Sequence, residues 1–153
     1  MFVVSGEGKL EAQLKLQVEQ AGLEDTFVFL GFSADIYPYL KGCDLFVLAS
    51  LFEGMPNVVM EAMAMSRAVV ATDVNGAREL MQDGKTGLVV PPRNPEALAE
   101  GIERLIDSPD LLERFGQTGY EWVRREFSMS AMGVHLERFL QEKVMMMHKR
   151  NQS

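Results

Sequence analysis

The chain predicts an α/β fold: a Rossmann-like, doubly wound parallel sheet with helices added at its carboxyl end. Three observations lead there. Five short runs are apolar throughout instead of alternating with polar residues, as strands buried on both faces are. Between them lie helix-periodic stretches, which parallel neighbours need in order to cross from one strand to the next. From Pro109 onward only the helical pattern remains.

Phe2-Val-Val starts the first strand, and Gly6 and Gly8 allow a tight turn after it. Leu10, Leu14, Leu16, Val18 and Ala21 mark a helix that Gly22 ends. Phe27-Val-Phe-Leu is the second strand, and Ile36, Tyr39 and Leu40 suggest a short helix. Leu45-Phe-Val-Leu is the third strand. The helix after it contains Glu61, and Pro56 suits its first position, where a missing N–H costs nothing. Ala68-Val-Val-Ala is the fourth strand, Ala77 to Met81 a short helix, and Gly87-Leu-Val-Val the fifth strand, closed by Pro91-Pro92. Pro95 opens a helix carrying Leu98, Ile102, Leu105 and Ile106. Leu111 to Glu126 and Met129 to about Met147 are the last two helices, parted by Phe127-Ser128. Right-handed crossovers put a ligand beyond the strands' carboxyl ends, where the loops carrying Gly6, Gly31, Glu53 and Asn75 are expected to converge.

Composition narrows the function classes. With 153 residues and 47% hydrophobic content, the chain can bury one ordinary core. A formal charge of -7 makes nucleic acid a poor partner. Glu61 interrupts the longest apolar stretch, so no span of a bilayer is expected, and the opening Met1-Phe-Val-Val-Ser-Gly lacks the pattern of a secretion signal. The single cysteine, Cys43, cannot form an internal disulfide, which fits a reducing, cytoplasmic setting. His135 and His148 fall in the terminal helices and read as surface residues. Met145-Met-Met147 beside Lys143 and Lys149-Arg150 offers peripheral contact with the inner face of a membrane, although a fraying helix end is the better reading.

The most informative stretch is Ser50-Leu-Phe-Glu53-Gly54-Met55-Pro56-Asn57-Val58-Val-Met-Glu61-Ala-Met-Ala. It puts Glu53 in the loop at a strand's carboxyl end and Glu61 inside the next helix. The amino end of that helix, from Gly54 to Val58, presents N–H groups and a partial positive charge that can hold a phosphate. Carboxylates on either side of a phosphate suit hydroxyl groups on two sugars. Gly6-x-Gly8 is not a dinucleotide fingerprint, since Glu11 stands where its third glycine would fall. Arg67 and Arg78 read as solvated charges, and no Asp-x-Asp metal clamp occurs.

This Glu-x7-Glu context resembles the donor site of family 4 retaining glycosyltransferases (glycosyl transferases group 1). Ser5-Gly-Glu-Gly8, Val28-Phe-Leu-Gly31-Phe32, Ala71-Thr72, Asn75-Gly76 and Gly87-Leu-Val-Val-Pro91-Pro92 follow in the order that family has. The resemblance implies the carboxyl-terminal, donor-binding half of a GT-B glycosyltransferase. It implies a nucleoside diphosphate sugar as substrate, transfer of a hexose to a glycan or lipid-linked acceptor, and no metal or other cofactor. Glu53 would accept hydrogen bonds from the donor sugar and count as catalytic. Glu61 would take the ribose hydroxyls, Gly54, Met55, Pro56, Asn57 and Val58 would line the diphosphate, and Gly31 and Phe32 would meet the base through their backbone. Residues 1–127 would form the nucleotide-sugar domain, and residues 128–153 a helix crossing to an amino-terminal acceptor domain that this chain lacks.

Two positions depart from the family pattern. Ala64-Met-Ser66-Arg67-Ala68 replaces a Gly-x-Pro turn, which is expected to loosen that turn. Asn75-Gly76 replaces two glycines, which puts a close backbone approach at stake. The strand and loop that usually supply diphosphate-gripping Arg and Lys are also missing. The isolated chain is therefore expected to bind donor weakly, to transfer little, and to self-associate through an apolar face of Val134, Phe139, Leu140 and Val144. The alternatives are a non-catalytic sugar-nucleotide-binding module, one subunit of a split glycosyltransferase, or a sugar-nucleotide epimerase, for which the histidines are badly placed.

Overall fold

The computed structural model describes residues 1–150, the side chains of 148–150 excepted. His148, Lys149, Arg150 and the last three residues of the 128–153 segment therefore fall outside the described residues or side chains. The order is β1 (Phe2–Ser5), α1 (Glu11–Gln20), β2 (Phe27–Gly31), α2 (Tyr37–Gly42), β3 (Leu45–Leu48), α3 (Asn57–Ala64), β4 (Ala68–Thr72), α4 (Ala77–Leu80), β5 (Leu88–Val90), α5 (Pro95–Ile106), α6 (Pro109–Glu126) and α7 (Met129–Arg150). All strand pairing is parallel, as the uniformly apolar runs require. The ladders form a pair, β1-β2, and a three-stranded sheet, β3-β4-β5. The chain divides into two compact units, Met1–Pro38 and Tyr39–Ser153.

In the first unit β1 runs beside β2 from Phe2 opposite Phe27 to Ser5 opposite Gly31. Phe2 and Phe27 stack with ring centroids 4.9 Å apart. The apolar positions of α1 do not form the buried face that their spacing suggests. The helix buries no residue, and Leu14 and Leu16 are exposed. Two strands and one ten-residue helix offer too little surface to close a core by themselves.

The second unit holds the core. β4 is buried along its whole length and lies between β3 and β5, with Leu45 opposite Ala68 and Val70 opposite Leu88. One face, Ala68 and Val70, packs with Leu88, Val90, Leu105 and Phe115 beneath Leu98 and Ile102 of α5 and Leu111 and Leu112 of α6. The alternate residues, Val69 and Ala71, are fully buried as well, so both faces of the strand are covered. Asn94 caps α5, its side chain accepting from the Ala97 N–H at 3.0 Å, and Pro95 fills the first turn. Ile106 lies off the buried stripe and is exposed.

α6 approaches the turn into β4 closely because it carries glycines there. A Cβ on Gly116 would lie 2.3 Å from the Ser66 carbonyl oxygen, and one on Gly119 would touch Met63 and the Thr86 carbonyl at 3.4 Å. The same helix fastens the 80–86 segment. Trp122 Nε1 donates to the Leu80 carbonyl at 2.8 Å, and the Thr118 hydroxyl to that of Lys85 at 2.6 Å. α7 follows the break at Phe127-Ser128, and from Met132 to Met147 its side chains are exposed. No helix among the described residues is long and apolar enough to cross a membrane.

Candidate functional site

The stretch read from the sequence becomes the loop between β3 and α3. β3 ends at Leu48, the loop carries Ser50 to Pro56, and α3 begins at Asn57. Pro56 is thus the residue that caps α3 and not its first helical residue: its ψ of 84° lies outside the helical region. Starting the helix at Asn57 puts Glu61 about 6 Å along the axis, at about 1.5 Å per residue. Glu53 and Glu61 are both half-buried.

The helix amino end offers fewer amides than expected. The Asn57 N–H donates to the Met55 carbonyl and the Val59 N–H to the Pro56 carbonyl, both at 2.9 Å. Pro56 has none. Among the described hydrogen bonds, the N–H groups of Gly54, Met55 and Val58 have no protein acceptor, and these are the donors available to an anion.

A second loop backs this one. Gly76 caps α4 at φ 79°, and a Cβ there would lie 2.7 Å from the Gly54 carbonyl oxygen and 3.1 Å from Met55 Cα. Only glycine allows both that dihedral and that approach. Asn75 is not at positive φ, so the glycine missing before Gly76 costs the loop nothing. The Asn75-Gly76 loop thus converges on the Glu53 loop, as anticipated. The turn into β4 also survives its departure. Ser66 takes φ 56°, its N–H reaches the Met63 carbonyl, and the Arg67 N–H reaches that of Ala62, both at 2.9 Å. This pair of bonds closes a helix end in the usual left-handed manner.

The two arginines are committed locally, not simply solvated. Arg67 donates to the Met65 and Cys43 carbonyls at 2.9 and 2.8 Å. Arg78 grips Asp73 in a fork, Nε 2.8 Å from Oδ1 and Nη2 2.8 Å from Oδ2. Hydrogen bonding and charge from Asp73 push Arg78 further above its ordinary pKa. Burial pushes the Cys43 thiol up, with Arg67 opposing, so it stays protonated at neutral pH.

Gly31 and Phe32 belong to the first unit, and Glu53 and Glu61 to the second. Gly31 has φ 70° and its carbonyl accepts from the Gly6 N–H at 2.9 Å, which joins those two loops as expected. The Phe32 N–H donates to Glu7 Oε1 at 3.3 Å, and the residue is 72% exposed.

Spacing along the chain did not reveal two residues that support Glu53. The Ser50 hydroxyl donates to Glu53 Oε1 at 2.7 Å. Thr72, buried at the end of β4, reaches the Ser50 carbonyl at 2.6 Å and the Leu48 carbonyl at 3.3 Å. A hydroxyl has one proton to give, so the shorter contact takes it.

The profile of the family Glycosyl transferases group 1 matches residues 1–122. An alpha-D-kanosaminyltransferase of Streptomyces kanamyceticus is 37% identical over 137 residues, which is 88% of this chain and 36% of that protein. Anabaena HepE in complex with UDP and glucose superposes with a TM-score of 0.79 at 27% identity, covering 92% of this chain and 40% of that one. The carboxyl-terminal domain of a group 1 glycosyl transferase from Francisella tularensis does so with a TM-score of 0.73 at 32% identity, covering 78% and 63%. The chain spans about a third of the length of the curated relatives it matches most strongly. The α/β architecture is that of GT-B glycosyltransferases, and the chain belongs to the glycosyl transferases group 1 family.

Proposed function

We propose that this chain is the donor-binding half of a retaining glycosyltransferase that moves a hexose from a nucleoside diphosphate sugar to a glycan or lipid-linked acceptor. The observation that carries the reading is the β3–α3 connection, in which half-buried Glu53 precedes, and half-buried Glu61 of α3 follows, a helix amino end with available N–H groups. The HepE complexes with UDP and UDP-glucose support a nucleotide sugar as ligand. Cleavage of the sugar–phosphate bond leaves negative charge on the diphosphate, and fixed amide donors lower the barrier by meeting it. In this reading Gly54, Met55 and Val58 donate to that charge, while Pro56 and Asn57 shape the turn. Glu53 takes the sugar hydroxyls, Glu61 the ribose hydroxyls, and Gly31 and Phe32 lie along the base. No metal clamp is required. Residues 128–153 would cross to an acceptor domain, and the setting would be cytoplasmic.

Because Arg67 and Arg78 are engaged elsewhere, the diphosphate would be held mainly by amides, so affinity should be low and transfer by the chain alone negligible. Calorimetric titration with UDP, GDP and ADP tests this. One of them should bind, and Glu61→Ala should weaken it about tenfold, the scale of a charge-assisted hydrogen bond. Failure of all three to bind defeats the reading, and robust turnover defeats the proposed inactivity.

A further inference from the structure

We infer that Thr72 and Ser50 are positioning residues that fix the carboxylate of Glu53 before the donor sugar arrives, which rests on the reading that Glu53 meets that sugar. β4 is the fully buried central strand of its sheet, and Thr72 is its last residue, 4% exposed. Its hydroxyl donates sideways to the Ser50 carbonyl at 2.6 Å, past the end of β3. The Ser50 hydroxyl in turn donates to Glu53 Oε1 at 2.7 Å. The fully buried central strand of the unit is thus connected through two hydrogen bonds to one oxygen of a loop carboxylate.

Without that connection a half-exposed glutamate on a loop would sample several rotamers and would lose that freedom on binding. With it, Oε1 is occupied, and Oε2 has no protein donor among the described hydrogen bonds. A carboxylate has about four acceptor sites, so Oε2 and the spare lone pairs of Oε1 can take sugar hydroxyls from a fixed direction. The effect should fall on recognition of the sugar and spare the nucleotide, which meets other residues.

The test uses Thr72→Val, Thr72→Ser and Ser50→Ala. Calorimetry compares whichever of UDP, GDP and ADP the chain binds with its glucose conjugate. In Thr72→Val and Ser50→Ala the affinity gained by adding glucose should shrink about tenfold, with the bare nucleotide unchanged and Thr72→Ser close to the parent. An unchanged glucose gain in folded Thr72→Val and Ser50→Ala overturns the inference. A ligand-independent measurement separates the two proposals: χ1 couplings of Glu53 in solution. They should report one rotamer in the parent and averaging in Ser50→Ala. One unaltered rotamer in Ser50→Ala sinks the positioning role even if nucleotide binding fails, whereas failed binding with averaging in Ser50→Ala sinks only the donor-site reading.

Discussion

Ser66 shows how a single residue can carry a local cost that the fold absorbs. Its φ of 56° is a region where a Cβ crowds the backbone, yet the turn needs that dihedral to end α3 and enter β4. Ser66→Gly should therefore stabilise the chain by about 0.5–1 kcal/mol, offset in part by the extra freedom glycine has when unfolded. Urea denaturation checks this, and a loss of stability would show that the serine side chain contributes something its backbone does not reveal. At the same scale, Glu53 and Glu61 were legible because their spacing places one in a loop and one in a helix. Thr72 and Ser50 were not. The Thr72 bond joins residues 22 positions apart, and only strand pairing brings them together. Arg67 and Arg78 read as solvated charges in the sequence although Met65 and Asp73 lie only two and five residues away, because the turn geometry and not the spacing brings these partners into reach.

Among the elements, the strands were the easiest to place, because buried parallel strands are short, apolar and bounded by turn residues. Helix faces were less secure. α5 buries Leu105 and half-buries Leu98 and Ile102 of the stripe that its periodicity predicts while leaving Ile106 exposed, whereas α1 has an apolar pattern and buries nothing. Periodicity records what a helix could bury, and a partner decides whether it does. The partner of α6 is the turn around Ser66, and Gly116 is what permits the contact. Gly116→Ala should destabilise by about 1–3 kcal/mol, because its Cβ would meet a backbone carbonyl that cannot rotate away. Thermal and chemical unfolding measure this. A neutral result would mean that α6 can slide off β4 at little cost.

The molecule as a whole presents one long helix with little cover. Val134, Leu136, Phe139 and Leu140 of α7 are each more than half exposed. Apolar surface of this kind favours association. Sedimentation velocity should show oligomers that grow with concentration, and Leu136→Glu with Leu140→Glu should shift them toward monomer. A monodisperse monomer at high concentration would contradict this. By itself the sequence determined the parallel α/β class, the order of elements, and a carboxylate pair around a helix start. These depend on local pattern, which strands, turns and caps express within a few residues. Tertiary structure decided the rest: that α3 begins after Pro56, that two of its first amides are already engaged, that Gly76 backs the Glu53 loop, and that Thr72 reaches Ser50. The last two depend on groups 22 residues apart meeting at van der Waals or hydrogen-bond distance, whereas the helix start and its engaged amides follow from local backbone dihedrals that residue spacing alone does not specify.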